Sequence, residues 1–278
     1  MFRFAEILGD PPAITVVDVG AASMGEGTDA WSVLAHDPNV RVVGFEPRAE
    51  ACAARNAEAR PNQRFFPYFV GDGSRRTFYE CQNPLTSSLY APNDKLLSMF
   101  QNLMLPVVGT REVQTVKLDD IDGLVDCDLL KLDVQGAEFD VLLGAGRILA
   151  SALIVHTEVE FIPMYEDQPL FGDIDVLLRS HGFLFHRFVE PFSRQIKPIV
   201  FNNDPFHAGS QLIFAEAAVF VRDLTRLDEL ASPKLQALAA LLHDLYGSVD
   251  LAAAVLQEHD RQTRSNLVDT YMRRLAGL

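Results

Sequence analysis

Short apolar runs recur through residues 1–222, and the segments between them repeat their apolar residues at helical spacing. That alternation predicts βαβ units and a mostly parallel, doubly wound α/β sheet. The first run, Ala13-Ile-Thr-Val-Val-Asp18, enters a glycine-rich turn and then a helix expected to carry Trp31 and Leu34. The second, Val40-Arg-Val-Val-Gly-Phe45, ends in Glu46-Pro47; proline suits a first helical turn, so a helix should follow with Ala51 and Cys52 inward. A third, Arg64 to Val70, meets the turn signal Gly71-Asp72-Gly73. Residues 74–118 break the rhythm: strands near Arg76–Tyr79 and Val113–Lys117 flank an irregular stretch of the kind that forms lids and binding loops.

The rhythm resumes with Cys127-Asp-Leu-Leu-Lys-Leu-Asp133, a helix with Phe139, Leu142 and Leu143, and the run Ala152 to Glu158. A helix from Phe171 places Ile174, Leu177 and Leu178 on one face and stops at Gly182. Phe183–Val189 and Gln211–Val221 read as closing strands. Past Asp223 the pattern becomes Ala- and Leu-rich at helical spacing, two or three helices with a break at Gly247-Ser248. Residues 223–278 are therefore expected to be a helical extension on a domain spanning 1–222. Its stripe of Leu235, Leu238, Leu241, Leu242 and Leu245 needs covering, by the first domain or by a second copy in a homodimer. Truncation after Asp223 is expected to leave a folded domain.

The chain has 278 residues, 48% hydrophobic and 22% charged, which is a globular composition. A net charge of −14 with no basic run argues against a nucleic-acid partner. Cys52, Cys81 and Cys127 lack metal or disulfide spacing and suit a reducing compartment. Met1–Pro12 has no stretch of signal-peptide length, and His243, Asp244 and Asp250 interrupt the apolar region from Leu235 to Leu256. The expectation is a soluble, cytoplasmic chain with no membrane span.

A strand, a glycine-rich turn and a helix suggest a nucleotide site. The dinucleotide fingerprint laid on Gly20 would need glycine where the chain has Ala22, and Asp18 is poorly placed beside two phosphates. S-adenosyl-L-methionine, with a cationic head and no phosphate, fits better. Asp18 would attract its ammonium, and Gly20, Gly25 and Gly27 would let the turn pass close. Glu46 would take both ribose hydroxyls, and Asp72 would accept from the adenine amino group. Pro47, Gly73, Asp133 and Gln135 adjoin these positions and complete the expected cofactor-binding set.

Val17-Asp-Val-Gly20, Gly44-Phe-Glu-Pro47, Ser87-Ser-Leu89 and Leu130-Lys-Leu-Asp-Val-Gln-Gly-Ala-Glu138 resemble, in order, the motifs of FkbM-type methyltransferases. The resemblance covers about residues 13 to 222. It implies a Rossmann-like class I fold, a seven-stranded sheet with its last strand antiparallel, and methyl transfer to oxygen on sugars or natural products. This chain has Gln135 where the family commonly has glutamate.

Methyl transfer to an alcohol needs an aligned oxygen and a group to take its proton. Asp133, at the end of the fourth strand, is the first candidate for base or acceptor-orienting residue. Glu138, in the following helical turn, equally suits pairing with the helix dipole. His156 and Glu158 should share one face of the fifth strand, with Glu160 continuing it, and are the other catalytic candidates. Asp133, Glu158 and Glu160 together would suit a hard cation, although nothing in their spacing requires one and none is expected. Ser87 and Ser88 are candidates to meet the acceptor or to close over the cofactor, and loop residue His207 is a candidate to line the acceptor pocket. The expected acceptor is a small-molecule or glycan hydroxyl. An NAD(P)-dependent oxidoreductase and a non-catalytic assembly module on the same fold are the alternatives.

Overall fold

The computed structural model describes residues 2–22, 29–200 and 209–278. Its elements in chain order are β1 (Ile14–Val19), β2 (Val40–Phe45), α1 (Ala49–Glu58), β3 (Gln63–Phe66), β4 (Arg75–Cys81), α2 (Asp94–Leu97) and β5 (Val107–Gln114). These are followed by β6 (Leu129–Leu132), α3 (Glu138–Leu143), α4 (Gly146–Ser151), β7 (Ile154–Glu160), α5 (Phe171–Ser180), β8 (Phe183–Arg194) and β9 (Gln211–Arg222). Three helices close the chain: α6 (Ser232–Tyr246), α7 (Val249–Thr263) and α8 (Leu267–Leu275).

The main sheet has seven strands in the order β3-β2-β1-β6-β7-β9-β8. β9 runs antiparallel to both neighbours, while the pairs from β3 through β7 are parallel. This is the Rossmann-like methyltransferase architecture expected. β4 and β5 stand apart as an antiparallel ribbon, which accounts for the broken rhythm after residue 74.

Both faces of the sheet are buried, and strand alternation assigns each side chain to one of them. Val16, Val42, Leu129, Ile154 and Val219 belong to one core cluster. Their strand neighbours Val17, Val43, Leu130, Val155 and Phe220 belong to the other, under α3, α4 and α5.

The first face is covered in an unexpected way. The segment carrying Trp31 and Leu34 is a 3-10 turn over Ser32–Leu34 rather than a helix, although both side chains are buried as expected. Asp37 accepts from the Asn39 backbone N–H at 2.9 Å and turns the chain into β2, which leaves little length for a helix. The C-terminal helices take its place. Leu235, Leu238, Leu241 and Leu242 of α6 and Val255 and Leu256 of α7 share one cluster with Val16, Val42, Trp31 and Leu34. Lys234 adds an ion pair to Asp128 at 2.6 Å, tying α6 to the start of β6. The leucine stripe is thus covered by the chain's own sheet, so it supplies no reason for a homodimer. The helix break falls at Gly247, whose positive φ of 59° ends α6.

This shared core changes what truncation should do. A chain ending at Asp223 is expected to expose the β1–β2–β6 face and to lose cooperative unfolding, read by near-ultraviolet circular dichroism in urea. Leu238→Ala, at a site with 0% exposure, should cost about 2–5 kcal/mol in the same measurement. A truncated chain with an intact cooperative transition would show the helices to be a separable layer.

Candidate active site

The chain runs outward from β1 to β3 and then returns beside β1 as β6, so a crevice opens past the strand ends where the direction reverses. A cavity of about 460 Å³ lies there. Gly20 makes the close approach possible: its φ is +79°, and a Cβ at this position would collide with the backbone carbonyl of Asp133.

Lys131 builds the floor. It pairs with Asp18 across the β1–β6 register, and its Nζ lies 3.1 Å from Asp18 Oδ1. The same ammonium donates to the Gly20 carbonyl at 3.0 Å and stands 3.6 Å from Asp133 Oδ2. Burial alone would lower the lysine pKa, but the charges of Asp18 and Asp133 outweigh it and hold the ammonium charged. Asp18 Oδ2 accepts from Trp31 Nε1 at 2.9 Å, and the carboxylate is only 1% exposed. Asp18 therefore lies beneath the cavity, not on its wall, with its charge answered by Lys131.

Glu46 lines the cavity from the end of β2. Its Oε1 accepts from the Arg48 backbone N–H at 2.9 Å and from Arg48 Nε at 2.8 Å. Oε2 has a longer contact, 3.3 Å from Arg48 Nη2, and keeps capacity for a ligand. Pro47 also lines the space, whereas Asp72 and Gly73 do not. Asp72 Oδ1 accepts from the Ser74 backbone N–H at 2.9 Å and is spent on its own turn. The wall on that side is Tyr68, Phe69 and Val70. Gly25, Gly27 and His207 lie outside the described residues.

The loop after β6 brings Asp133, Val134 and Gln135 to the cavity. Gln135, at a positive φ of 58°, turns its amide back over the sheet edge. Its Nε2 donates to Asp133 Oδ1 at 2.9 Å and to Glu158 Oε2 at 2.7 Å. A glutamate here would be a third carboxylate between two others; the amide instead bridges them. Ser88 Oγ donates to the Gln135 carbonyl at 2.6 Å, and Ser87 Oγ accepts from the Cys81 backbone N–H. Both serines line the cavity while fastening the irregular stretch to this loop. Glu138 accepts from the Val134 N–H at 2.7 Å, braces the loop and does not line the cavity.

Burial, reinforced by the Asp133 charge, pushes Glu158 well above the usual glutamate range. His156 goes the other way, to about 4, through burial and the Lys131 charge. It is a neutral imidazole near neutral pH and a weak base, which counts against the catalytic role expected of it. Its Nδ1 lies 3.1 Å from Tyr246 Oη. Among the described residues, no three His, Cys, Asp or Glu side chains converge as metal ligands, so Asp133, Glu158 and Glu160 form no such group.

Residues 18–185 match the family described as the Methyltransferase FkbM domain. The chain belongs to the FkbM methyltransferase family. It is 30% identical over 182 residues to the 2-O-methyltransferase NoeI of Sinorhizobium fredii (strain NBRC 101917 / NGR234), covering 60% of this chain and 72% of NoeI. Among solved structures it is similar to precorrin-6y C5,15-methyltransferase from Geobacter metallireducens GS-15, at 11% identity and a TM-score of 0.40, over 79% of this chain and 84% of that one. The N-terminal domain of EvdMO1 with SAH bound gives 10% identity and a TM-score of 0.37, over 79% and 77%. Methyl transfer displaces the oxidoreductase reading.

Sequence reasoning missed several cavity residues. Lys131 stood inside a quoted motif, and a lysine and an aspartate each interrupting an apolar strand was the available sign that they pair. Tyr246 and Glu216 lie beyond the family match, and only packing brings them to the wall. Among the described residues, no helix is long and apolar enough to cross a membrane.

The loop brace has a pH signature. Burial pushes Glu138 up to about 7 from an ordinary 4.5, so between those values the unfolded chain has released a proton that the folded chain keeps. Stability conferred by this group is full below 4.5 and lost as pH rises through the folded value. Urea unfolding of wild type and Glu138→Gln from pH 4 to 8 should show a shallower decline in the variant; identical pH dependence would assign the decline to other groups.

Proposed function

We propose that this protein is an S-adenosyl-L-methionine-dependent O-methyltransferase acting on a hydroxyl of a sugar, glycan or other small hydroxylated metabolite. The observation that carries the reading is the Asp133–Gln135–Glu158 bridge at the edge of a cavity of about 460 Å³ in a methyltransferase fold. The relative named as a 2-O-methyltransferase supports oxygen as the acceptor atom.

The residues fit the cofactor. Gly20 leaves the turn without a side chain where a ligand must approach closely, and Glu46 presents a buried carboxylate for ribose hydroxyls. The wall carries the carboxyl groups of Asp29, Glu46, Asp133, Glu158 and Glu216, and its cations Arg48 and Lys131 are already paired with Glu46 and Asp18, so the set suits a cationic ligand better than a pyrophosphate. S-adenosyl-L-methionine supplies a methyl group on a sulfonium, activated for displacement by an aligned nucleophile. Asp133 orients the acceptor oxygen, and Asp133 or Glu158 takes its proton. Gln135 holds the two carboxylates at a common amide, so neither can swing away without breaking a hydrogen bond. Glu158, raised by burial, is a stronger base in its ionised form than an exposed glutamate.

Incubation with labelled cofactor and a panel of methyl glycosides and free sugars should give products heavier by one methyl group. No transfer to any hydroxylated probe, with cofactor bound, would leave the protein a binding module. In calorimetry, Glu46→Ala should weaken binding of S-adenosylhomocysteine by about 1.5–3 kcal/mol. Undiminished affinity would remove Glu46 from the cofactor site.

Asp133→Asn should lower kcat by roughly 10²–10⁴-fold while cofactor affinity stays near wild type. Because Glu158 is raised, activity that needs its carboxylate should rise with pH through a limb above the ordinary glutamate range. Gln135→Glu, which exchanges a donor for a third carboxylate, should move that limb to higher pH. A kcat–pH profile unmoved by this change would show that Glu158 is not the titrating group.

A further inference from the structure

A second cavity, of about 380 Å³, opens on the far side of the Gln135–Glu158 bridge. Gln135, Glu158, Leu85 and Phe214 line both spaces, so this bridge and its apolar flanks stand between the two. The second is closed by the irregular stretch before β5 and by the β8–β9 hairpin, with Asn102, Met104, Phe192 and Glu160 on its wall.

Glu160 is the anomaly. It is 2% exposed, and its Oε2 makes no well-formed hydrogen bond among the described residues, although the Gln168 amide faces the same carboxyl. A buried carboxyl oxygen without a well-formed hydrogen bond is costly, and such groups stay where a ligand completes them. Glu160 stands two residues beyond Glu158 on β7, roughly 7 Å along a strand, and both line the second cavity. Two carboxyl groups so spaced can meet two hydroxyls of one ring. Phe192 and Phe214 stack at 4.9 Å between centroids and 26° between planes, giving the same cavity an apolar wall against which the C–H face of a ring can lie.

We propose that this second cavity is the acceptor subsite, where Glu158 meets the hydroxyl to be methylated and Glu160 selects a polyhydroxylated, sugar-like ring by binding a second hydroxyl. The assignment rests on the O-methyltransferase reading above and adds the substrate class and the residue that selects it. Burial pushes the Glu160 carboxyl well above its ordinary range, so it keeps a proton and can donate as well as accept.

The test uses the full chain, S-adenosyl-L-methionine and whichever methyl glycoside the wild type methylates best, with a simple alcohol as comparison. Glu160→Met removes the hydrogen-bonding atoms at similar volume; it also gives up the carboxyl's contact with the Gln168 amide, so urea unfolding is measured beside activity and stability should hold closely enough for the KM to be read. Its KM for the glycoside should rise about ten- to a hundredfold, with the Kd for S-adenosylhomocysteine within twofold of wild type. Glu160→Gln should restore most of the loss, and the simple alcohol should be affected by neither. Met104→Trp narrows the same cavity from a residue that is 46% exposed, so the fold should tolerate it, and it should raise the glycoside KM without weakening cofactor binding. Unchanged glycoside KM in both Glu160→Met and Met104→Trp would overturn the subsite while leaving the O-methyltransferase reading intact. A drop in stability of Glu160→Met that accounts for its lost activity would make Glu160 structural and overturn the selection. Absence of transfer from the wild type to any hydroxylated probe would overturn both.

Discussion

Asp18 and Lys131 sit side by side in the middle of the sheet, on adjacent strands whose other side chains, Thr15 excepted, are apolar. Neither charge is tolerable there alone, since an unpaired buried ion costs several kcal/mol. Together they form a floor that Trp31 braces from below and that reaches Gly20 and Asp133 above. The ammonium thus fixes two strand ends relative to each other at the point where the sheet reverses direction. Burial keeps the nearby His156 imidazole neutral, and the lysine charge adds to that effect.

Above this floor, one amide organises the edge. Gln135 donates to Asp133, just past the end of β6, and to Glu158 on β7, and so joins two acidic groups from different elements. The left-handed backbone at Gln135 and Gly136 aims that amide, and Ser88 and Glu138 secure the loop from either side. The carboxylates differ in environment as well as position. Asp133 has 41% of its side chain exposed, while Glu158 is buried.

The C-terminal helices join the site to the stability of the whole chain. α6 covers the face of β1, β2 and β6, and its last residues, Leu245 and Tyr246, reach the cavity wall. Residues outside the family match therefore complete both the core and the space where chemistry would occur.

Much of the fold was legible because its signals are local. Strand alternation, strand-end glycines and acids, and the break at Gly247 are written in neighbouring residues, and they placed Gly20, Glu46, Asp133, Gln135, His156 and Glu158 on one sheet edge. The same logic did not foresee that two of the acids have partners within the protein: Asp72 turns back to its neighbour Ser74, and Asp18 is held by a lysine 113 positions on. By itself the sequence determined which residues could line the edge, because a period of two along a strand decides which side each occupies. Only the tertiary structure decided which of them face the cavity, because that depends on long-range partners. Lys131 draws Asp18 down, Gln135 ties Asp133 to Glu158, and α6 folds back across the sheet to bring Tyr246 against His156.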